Sequence, residues 1–347
     1  MVCVIIAGGS GTRLWPLSTP DYPKHLLTIA SDKSLLRNTY ERAKKLTDKI
    51  YVVSDISHAH HISDHIPELD AEYLIVEPGR RGTANCIIAA LVKLGKENNP
   101  NEIIAFLHAD HYIRDTRGFI HSFEVAADVS KENNRLVLVG VEPDYPATGF
   151  GYIQKDGMFD DKQFVYEVDS FKEKPDYVTA QKYVQSGDYL WNCGYFVGSI
   201  NTFENTVKKF SPRLFESMEK LKLEKTAAGF NRTYLKLESD SIDYALIERV
   251  DNLLVVPATF DWMDLGSYND IHKAVATDKN DIHVHGNNIG LEGVTNAYIH
   301  NEEDKPVAVI GLDNVVVVNT PNGLLVARKD QSQKVKDVLA ELNQRDK

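Results

Sequence analysis

The chain has 347 residues, 43% of them hydrophobic and 26% charged, with a formal net charge of −11. Such a composition is that of a globular protein able to bury a core without staples, with a length that suits about two domains. The acidic balance argues against a nucleic-acid surface or an anionic membrane as partner, so an anionic substrate would need a local basic pocket.

VCVIIA at 2–7 reads as a buried strand, and the loop AGGSGTRLWPLSTPDYPKHLL at 7–27 follows it. SLLRNTYERAKKL (34–46) places Leu36, Tyr40 and Ala43 on one helical face. IYVVS (50–54) and EYLIVE (72–77) are strand patterns, and GTANCIIAALVKLGKEN (82–98) is a long helix pattern. EIIAFLHAD (102–110) is a strand ending in acidic residues, followed by a helix at 119–133 and the strand RLVLVGV at 135–141. Strands alternating with helices of this length predict parallel pairing in an α/β sheet covered on both faces.

From about 148 the pattern is mixed, with helices predicted at YVTAQKYVQSG, around 201–222 and at SIDYALIERV (241–250), where Asp240 or Ser241 can cap. After about 280, short β-branched runs are separated by Gly and Asn turns, which predicts a small all-β appendage ending in the amphipathic helix QSQKVKDVLAELNQ. The domains are therefore expected at 1–280 and 281–347.

Cys3, Cys86 and Cys193 form no CxxC pair, and buried reduced thiols are expected. With no charged n-region before VCVIIA and no apolar run near the roughly 20 residues that span a bilayer, the expectation is a soluble cytoplasmic protein without a membrane partner. His108 and His111 are expected to pack at a strand end, and His58, His60 and His61 to form a solvated helix face.

A glycine-rich loop after a first strand can aim backbone N–H groups at phosphate. A P-loop would need Gly-Lys-Ser/Thr, and no Lys follows Gly11; a dinucleotide fingerprint would need a third glycine where Leu14 stands. Arg13 can fork two phosphate oxygens, Lys24 supplies a point charge, and Pro16 and Pro23 stiffen the loop between them. A surface loop with two solvated cations is the bland alternative.

The string GGSGTRLWPLS with PKH, followed in order by EPGRRGTA, LHADHYI, TGFGYI, FKEKP, WNCGYF, SIDYALIE and DWMDLGSY, resembles the sugar nucleotidylyltransferases. Within them it is most similar to the bacterial mannose-1-phosphate guanylyltransferases, over residues 2 to about 270. The resemblance implies a Rossmann-like (GT-A-like) mixed, mostly parallel sheet flanked by helices, with a C-terminal left-handed β-helix that can support a homodimer. It implies a reaction between GTP and mannose 1-phosphate that yields GDP-mannose and pyrophosphate, assisted by Mg²⁺.

Such a transfer needs two polyanions held together and charge neutralised at the reacting phosphorus, with no Ser-His or Cys-His nucleophile. By the resemblance, Asp110 and Asp264 hold the metal, Arg13 and Lys24 neutralise the departing phosphates, and these four are the catalytic set. Gly8, Gly9, Ser10, Gly11, Thr12, Arg13, Glu77, Gly82, Thr83 and Ala84 would face the nucleotide, and Gly149, Glu173, Lys174 and Asn192 the sugar phosphate. The alternatives are a turn or cap for either aspartate, a hairpin bend at Gly149 and Gly151, a solvated Lys174 and a structural Asn192. Asp261 reads as structural, and Asp243 as a helix-dipole residue.

His25 stands where the family usually has Gln, His108 where it has Pro, Gly82 and Asn85 where it has Asn and Pro, and Cys193 where it has Ser. Longer relatives carry a phosphomannose isomerase domain for which the chain has no room, so the transferase activity alone is expected. The rival readings are the same chemistry on another nucleotide and hexose phosphate pair, and a silent sugar-nucleotide sensor.

Overall fold

The computed structural model describes residues 1–9, 11–278 and 280–345. Two compact units divide them. The first comprises Met1–Ala7, Tyr40–His108 and Ile113–Trp262, the second Gly8–Thr39, Ala109–Tyr112 and Met263–Lys347.

The first unit holds a nine-stranded sheet of β1 (Val2–Ala7), β2 (Ile50–Asp55), β3 (Leu74–Glu77), β4 (Ile103–His108), β5 (Val137–Val141), β6 (Gly151–Asp160), β7 (Val165–Lys172), β8 (Tyr189–Ser199) and β9 (Leu254–Pro257). The helices in chain order are α1 (Leu35–Ala43), α2 (Ala59–His65), α3 (Gly82–Glu97), α4 (Thr116–Asn133), α5 (Tyr177–Ser186), α6 (Ile200–Phe210), α7 (Pro212–Leu223), α8 (Ala227–Leu235), α9 (Ile242–Ala245), α10 (Tyr268–Val275) and α11 (Val335–Arg345).

Strand order is β3-β2-β1-β4-β8-β5-β9-β7-β6. The pairs among β3, β2, β1 and β4 are parallel, as is β5 with β9. The alternation of strand and helix stops at β5. There the β6–β7 hairpin intervenes, and β8 runs antiparallel to β4, β5 and β6, so the sheet is mixed.

All six residues of β1 are buried. Val2, Val4 and Ile6 join the core that α3 shares with α6 and α7, and burial on both faces is what a crossover-covered parallel strand requires. α4 covers β4, β5, β8 and β9. Its start is capped by Asp115, which accepts from the amides of Arg117 and Gly118, and its end by left-handed Asn134.

Cys3, Cys86 and Cys193 are buried thiols, and burial pushes Cys3 up to about 12. His58 departs from the expected solvated face. It is buried at the entry to α2, with Arg80 Nη2 3.4 Å from its Nδ1, while His60 is exposed. The helix expected over 241–250 is broken into α9 and a 3-10 turn at Ile247–Arg249.

The second unit contains β10 (Ile282–Gly286), β11 (Ile289–Glu292), β12 (Ala297–Asn301), β13 (Val307–Ile310), β14 (Val315–Thr320) and β15 (Gly323–Arg328). β10, β12 and β14 stack in parallel on one face of a coil, β11 and β13 on a second, and the Thr295–Asp313 bridge marks a third. Left-handed residues turn the corners: Gly286 and Asn288, Gly293 and Asn296, Gly311 and Asn314. Gly and Asn reach that region at least cost, which explains the turn texture of the sequence.

β15 returns antiparallel to β14. The valine run 315–318 is buried inside this unit: Val316 and Val318 pack with Leu14, Leu17 and Tyr268, and Val315 and Val317 with Val294, Ile299 and Val309. The run therefore needs no partner chain for its burial. Among the described residues no helix is long and apolar enough to cross a membrane.

Candidate active site

Four of the expected groups come together in the second unit. Gly11 has φ +58, and a β-carbon there would lie 2.5 Å from Lys24 Cβ. Glycine is thus required both by the backbone and by the close passage of the Lys24 segment. Lys24 opens a 3-10 turn after Pro23 and is buried.

Tyr112 and Met263 exchange backbone hydrogen bonds at 2.9 and 3.0 Å, which sets the segments carrying Asp110 and Asp264 side by side. Lys24 Nζ then lies 2.9 Å from Asp110 Oδ2 and 3.2 Å from Asp264 Oδ1, and also donates to the Asp264 carbonyl. Burial alone would push the Lys24 ammonium down, but the two carboxylates outweigh it and hold it above its ordinary value. For Asp264, burial and Asp110 push up, while Lys24, His111 and Arg13 pull down, and the net is a carboxyl below its usual range.

Arg13 completes this group. A β-carbon on Gly266 would lie 2.6 Å from Asp264 Oδ2 and 3.3 Å from Arg13 Nη1, so both side chains lie over a position that only glycine leaves open. Leu265, between Asp264 and Gly266, is buried with φ +49. A leucine in the left-handed region is strained by about 1–2 kcal/mol, and such strain persists where surrounding structure holds it.

Gly9 has φ +92 with open space where a β-carbon would be, Gly8 is exposed, and Thr12 begins a 3-10 turn with Arg13. Ser10 lies outside the described residues. Asp261 is structural, as expected, accepting from the amides of Arg114 and Asp115 and pairing with the Arg114 guanidinium at 2.7 Å.

The first unit carries the remaining groups. Asn192 donates to Asp243 Oδ1 at 2.8 Å and accepts from the Gly194 amide at 3.0 Å. Lys174 Nζ is 2.6 Å from Glu173 Oε1. A β-carbon on Gly151 would fall 2.5 Å from Glu173 Oε2 and 3.2 Å from Asn192 Cβ, which gathers Gly151, Glu173 and Asn192 in one place. Glu173 is buried, and its Oε2 has no hydrogen-bond partner among the described residues. A buried acceptor without a donor is costly, and one sugar hydroxyl would satisfy it.

Lys174, itself a candidate site residue, has φ +46 and so lies in the left-handed region. Gly149 is exposed, with open space at its α-carbon.

Asp243 stands in the first turn of α9, where its dipole reading puts it; its carboxylate also accepts from Asn192, and burial and the Glu173 charge raise it to about 6. Its place in the SIDYALIE string was the available pointer, but the pairing spans residues far apart in the chain.

Gly82, Thr83 and Ala84 are tied to Asp240 and to the first residue of α9. The Thr83 hydroxyl accepts from the Ile242 amide at 2.9 Å, and the Ala84 amide donates to the Asp240 carbonyl at 3.2 Å. Gly82 has φ +80, and a β-carbon there would overlap the Asp240 carbonyl oxygen. Glu77 is buried and receives the Tyr234 hydroxyl, and burial raises its carboxyl above the usual range.

A family model described as Nucleotidyl transferase matches residues 2–281. The chain belongs to the nucleotidyl transferase family. A second, described as MannoseP isomerase/GMP-like beta-helix domain, matches residues 286–342.

The Salmonella typhimurium mannose-1-phosphate guanylyltransferase RfbM is 34% identical over 369 residues, an alignment covering 99% of this chain and 73% of the relative. The Xanthomonas campestris xanthan biosynthesis protein XanB is 34% identical over 98% of this chain and 72% of its own. A solved Thermus thermophilus protein described as mannose-1-phosphate geranyltransferase superposes with a TM-score of 0.88 at 27% identity, covering 99% of each chain. In this nucleotidyl transferase the polar groups gather as a cation clamped by two carboxylates in one unit and as a Glu-Lys-Asn-Asp cluster in the other.

Proposed function

We propose that the protein transfers GMP from GTP to α-D-mannose 1-phosphate, giving GDP-mannose and pyrophosphate. The observation that carries the reading is the buried Lys24 between Asp110 and Asp264 beside the glycine loop and Arg13, in a nucleotidyl transferase with a named guanylyltransferase as relative.

A non-bridging oxygen of the sugar phosphate attacks the α-phosphorus and forms the new P–O bond. The bond from that phosphorus to the oxygen bridging the β-phosphorus breaks, and pyrophosphate leaves with the electron pair. The attacking phosphate is already ionised near neutral pH, so no general base is assigned. Arg13 and Lys24 neutralise the departing phosphates, and the amides of Gly8, Gly9, Gly11 and Thr12 serve the triphosphate. Glu77, Gly82, Thr83 and Ala84 serve the nucleoside side. Lys174 binds the sugar phosphate, while Glu173, Asn192 and Gly149 hold the sugar.

Nucleotidyl transfer in this family uses a divalent metal, and we take it to be Mg²⁺. The donor set fits: Asp110 and Asp264 are two carboxylates already converging on one positive charge, and Mg²⁺ binds through one or two carboxylates together with substrate phosphates. When bound it supplies charge stabilisation on phosphoryl oxygens.

We place the reaction in the cytoplasm and assign the protein a homodimer that would cover the exposed Ile310, Leu324 and Val326. Sedimentation at micromolar concentration tests the dimer, and a monomeric mass rejects it. Pyrophosphate release measured with each pair of nucleoside triphosphate and hexose 1-phosphate tests the activity. GTP with mannose 1-phosphate is the pair expected to turn over. Turnover with another pair only, or with none, overturns the assignment.

A further inference from the structure

We infer that α10 and the C-terminal β segment together position Arg13 for polyphosphate, by holding the backbone of the three residues that follow it. The inference rests on the reading of Arg13 as a polyphosphate ligand.

Leu14, Trp15 and Pro16 each have their carbonyl captured by a side chain from the far end of the chain. The Tyr268 hydroxyl donates to Leu14 O at 2.8 Å and lies 3.2 Å from Trp15 O. The Thr320 hydroxyl donates to Pro16 O at 3.3 Å, and Asn322 Nδ2 donates to the same oxygen at 3.1 Å. Gly323 is at φ +144, and a β-carbon there would stand 2.5 Å from Trp15 Cζ2, so the indole lies directly on the β14–β15 turn. Gln333, past β15, accepts from Arg13 Nη1 at 3.3 Å. All of these residues belong to the second unit.

Leu14 and Pro16 are buried, and so are Tyr268 and Thr320. Water is thus kept from most of this backbone. The Leu14 carbonyl also accepts from the Ser18 amide at 3.0 Å, and the donors from the β14–β15 turn and α10 add to that bond and satisfy the buried Pro16 carbonyl. The loop leaves a 3-10 turn at Leu14 and enters another only at Lys24. Arg13 itself sits in the short 3-10 turn Thr12–Leu14, and the side-chain donors fix the stretch by which the chain leaves that turn. A catalytic cation must be held within a fraction of an ångström to act on a transition state. Tyr268, Thr320 and Asn322 are therefore positioning residues acting through Arg13, and the β segment is part of the phosphate loop's geometry.

The test compares Asn322→Ala, Thr320→Val and Thr320→Ser with wild type, each alone and Asn322→Ala also in an Arg13→Ala background. The readouts are affinity for inorganic tripolyphosphate by calorimetry, kcat and KM for mannose 1-phosphate with GTP, and melting temperature. Asn322→Ala and Thr320→Val should weaken tripolyphosphate binding and lower kcat by about 10-fold. They should leave the sugar-phosphate KM unchanged and the melting temperature within about 5 °C. Thr320→Ser, which keeps the donor, should restore wild-type values.

With Arg13 already removed, Asn322→Ala should add less than about 2-fold, because the group it positions is gone. Unchanged tripolyphosphate affinity in the single variants, or a full loss repeated in the Arg13→Ala background, overturns the inference. Should wild type bind tripolyphosphate yet turn over no substrate pair, the proposed reaction falls, and the binding arm still decides the positioning role.

Discussion

Lys24→Met removes the ammonium lying within 3.2 Å of both Asp110 and Asp264 and leaves an apolar chain of similar length. At an effective dielectric near 20, each of these contacts is worth about 5 kcal/mol of gross attraction. Desolvation of the buried ammonium offsets much of that, and the measurable consequence is the cost of leaving two facing, part-buried carboxylates without the Lys24 ammonium, about 3–5 kcal/mol. For a chain of this size that lowers the melting temperature by about 4–7 °C near neutral pH.

The pH dependence separates this cause from a packing defect. In wild type Asp264 titrates below the usual 3.8, so its contribution is complete above about pH 4 and is lost only as pH falls through the lower folded value. Lys24 titrates above the usual 10.5, so its contribution is complete below that and is lost as pH rises through the higher folded value. In the variant, two like charges share one site, and one of them takes up a proton as pH falls below neutrality. The deficit should therefore shrink steadily from about pH 7 to about pH 5. Millimolar Mg²⁺ should raise the variant's melting temperature more than the wild type's, because the metal replaces the missing charge. Thermal melts across that pH range, with EDTA or Mg²⁺, measure both effects. A deficit that is constant with pH, together with equal Mg²⁺ effects on the two proteins, would show that Lys24 acts by packing and that the two aspartates are not a cation site.

Asp264→Asn should fold normally, since Asp110 still pairs with Lys24, but lose about 10²–10³-fold in kcat under saturating Mg²⁺. Activity close to wild type in a pyrophosphate-release assay would remove Asp264 from the metal site. Asp243→Asn should stabilise the protein. The folded carboxyl titrates near 6 against 3.8 unfolded, so its ionised form opposes folding, and the gain should grow between those values and stay flat above about 6. Melts at several pH values check this, and a parallel rise in KM for mannose 1-phosphate is expected if its partner Asn192 holds the sugar.

Much of the site was legible because its chemistry is written in short strings. Gly11 and Lys24 stand within one loop, and the requirement for glycine at Gly11 is local and conformational. Asp110 follows a strand whose apolar run ends at His108, and that ending is visible in the residues themselves. The burial of His58 and the Asn192 partner of Asp243 were missed for a common reason. Helical position says what a side chain does toward its own helix, whereas the burial of His58 and the Asn192 partner of Asp243 come from other segments. The mixed sheet came from the family resemblance and not from the strand patterns, because β8 has the apolar pattern of a buried strand whether it runs parallel or antiparallel to its neighbours.

The amino-acid sequence by itself determined the parts: a phosphate-loop composition, two aspartates in acidic turns, a Glu-Lys pair, and a C-terminal run of short strands cornered by Gly and Asn. Those features arise from backbone preference and residue chemistry, which act over a few positions. Only the tertiary structure decided that Gly8–Thr39 and Met263–Lys347 share one compact unit, that Lys24 is clamped between two aspartates, and that Tyr268, Thr320 and Asn322 hold the carbonyls after Arg13. Those contacts join residues up to some three hundred positions apart, and no local periodicity encodes which distant hydroxyl or amide will satisfy a given buried carbonyl.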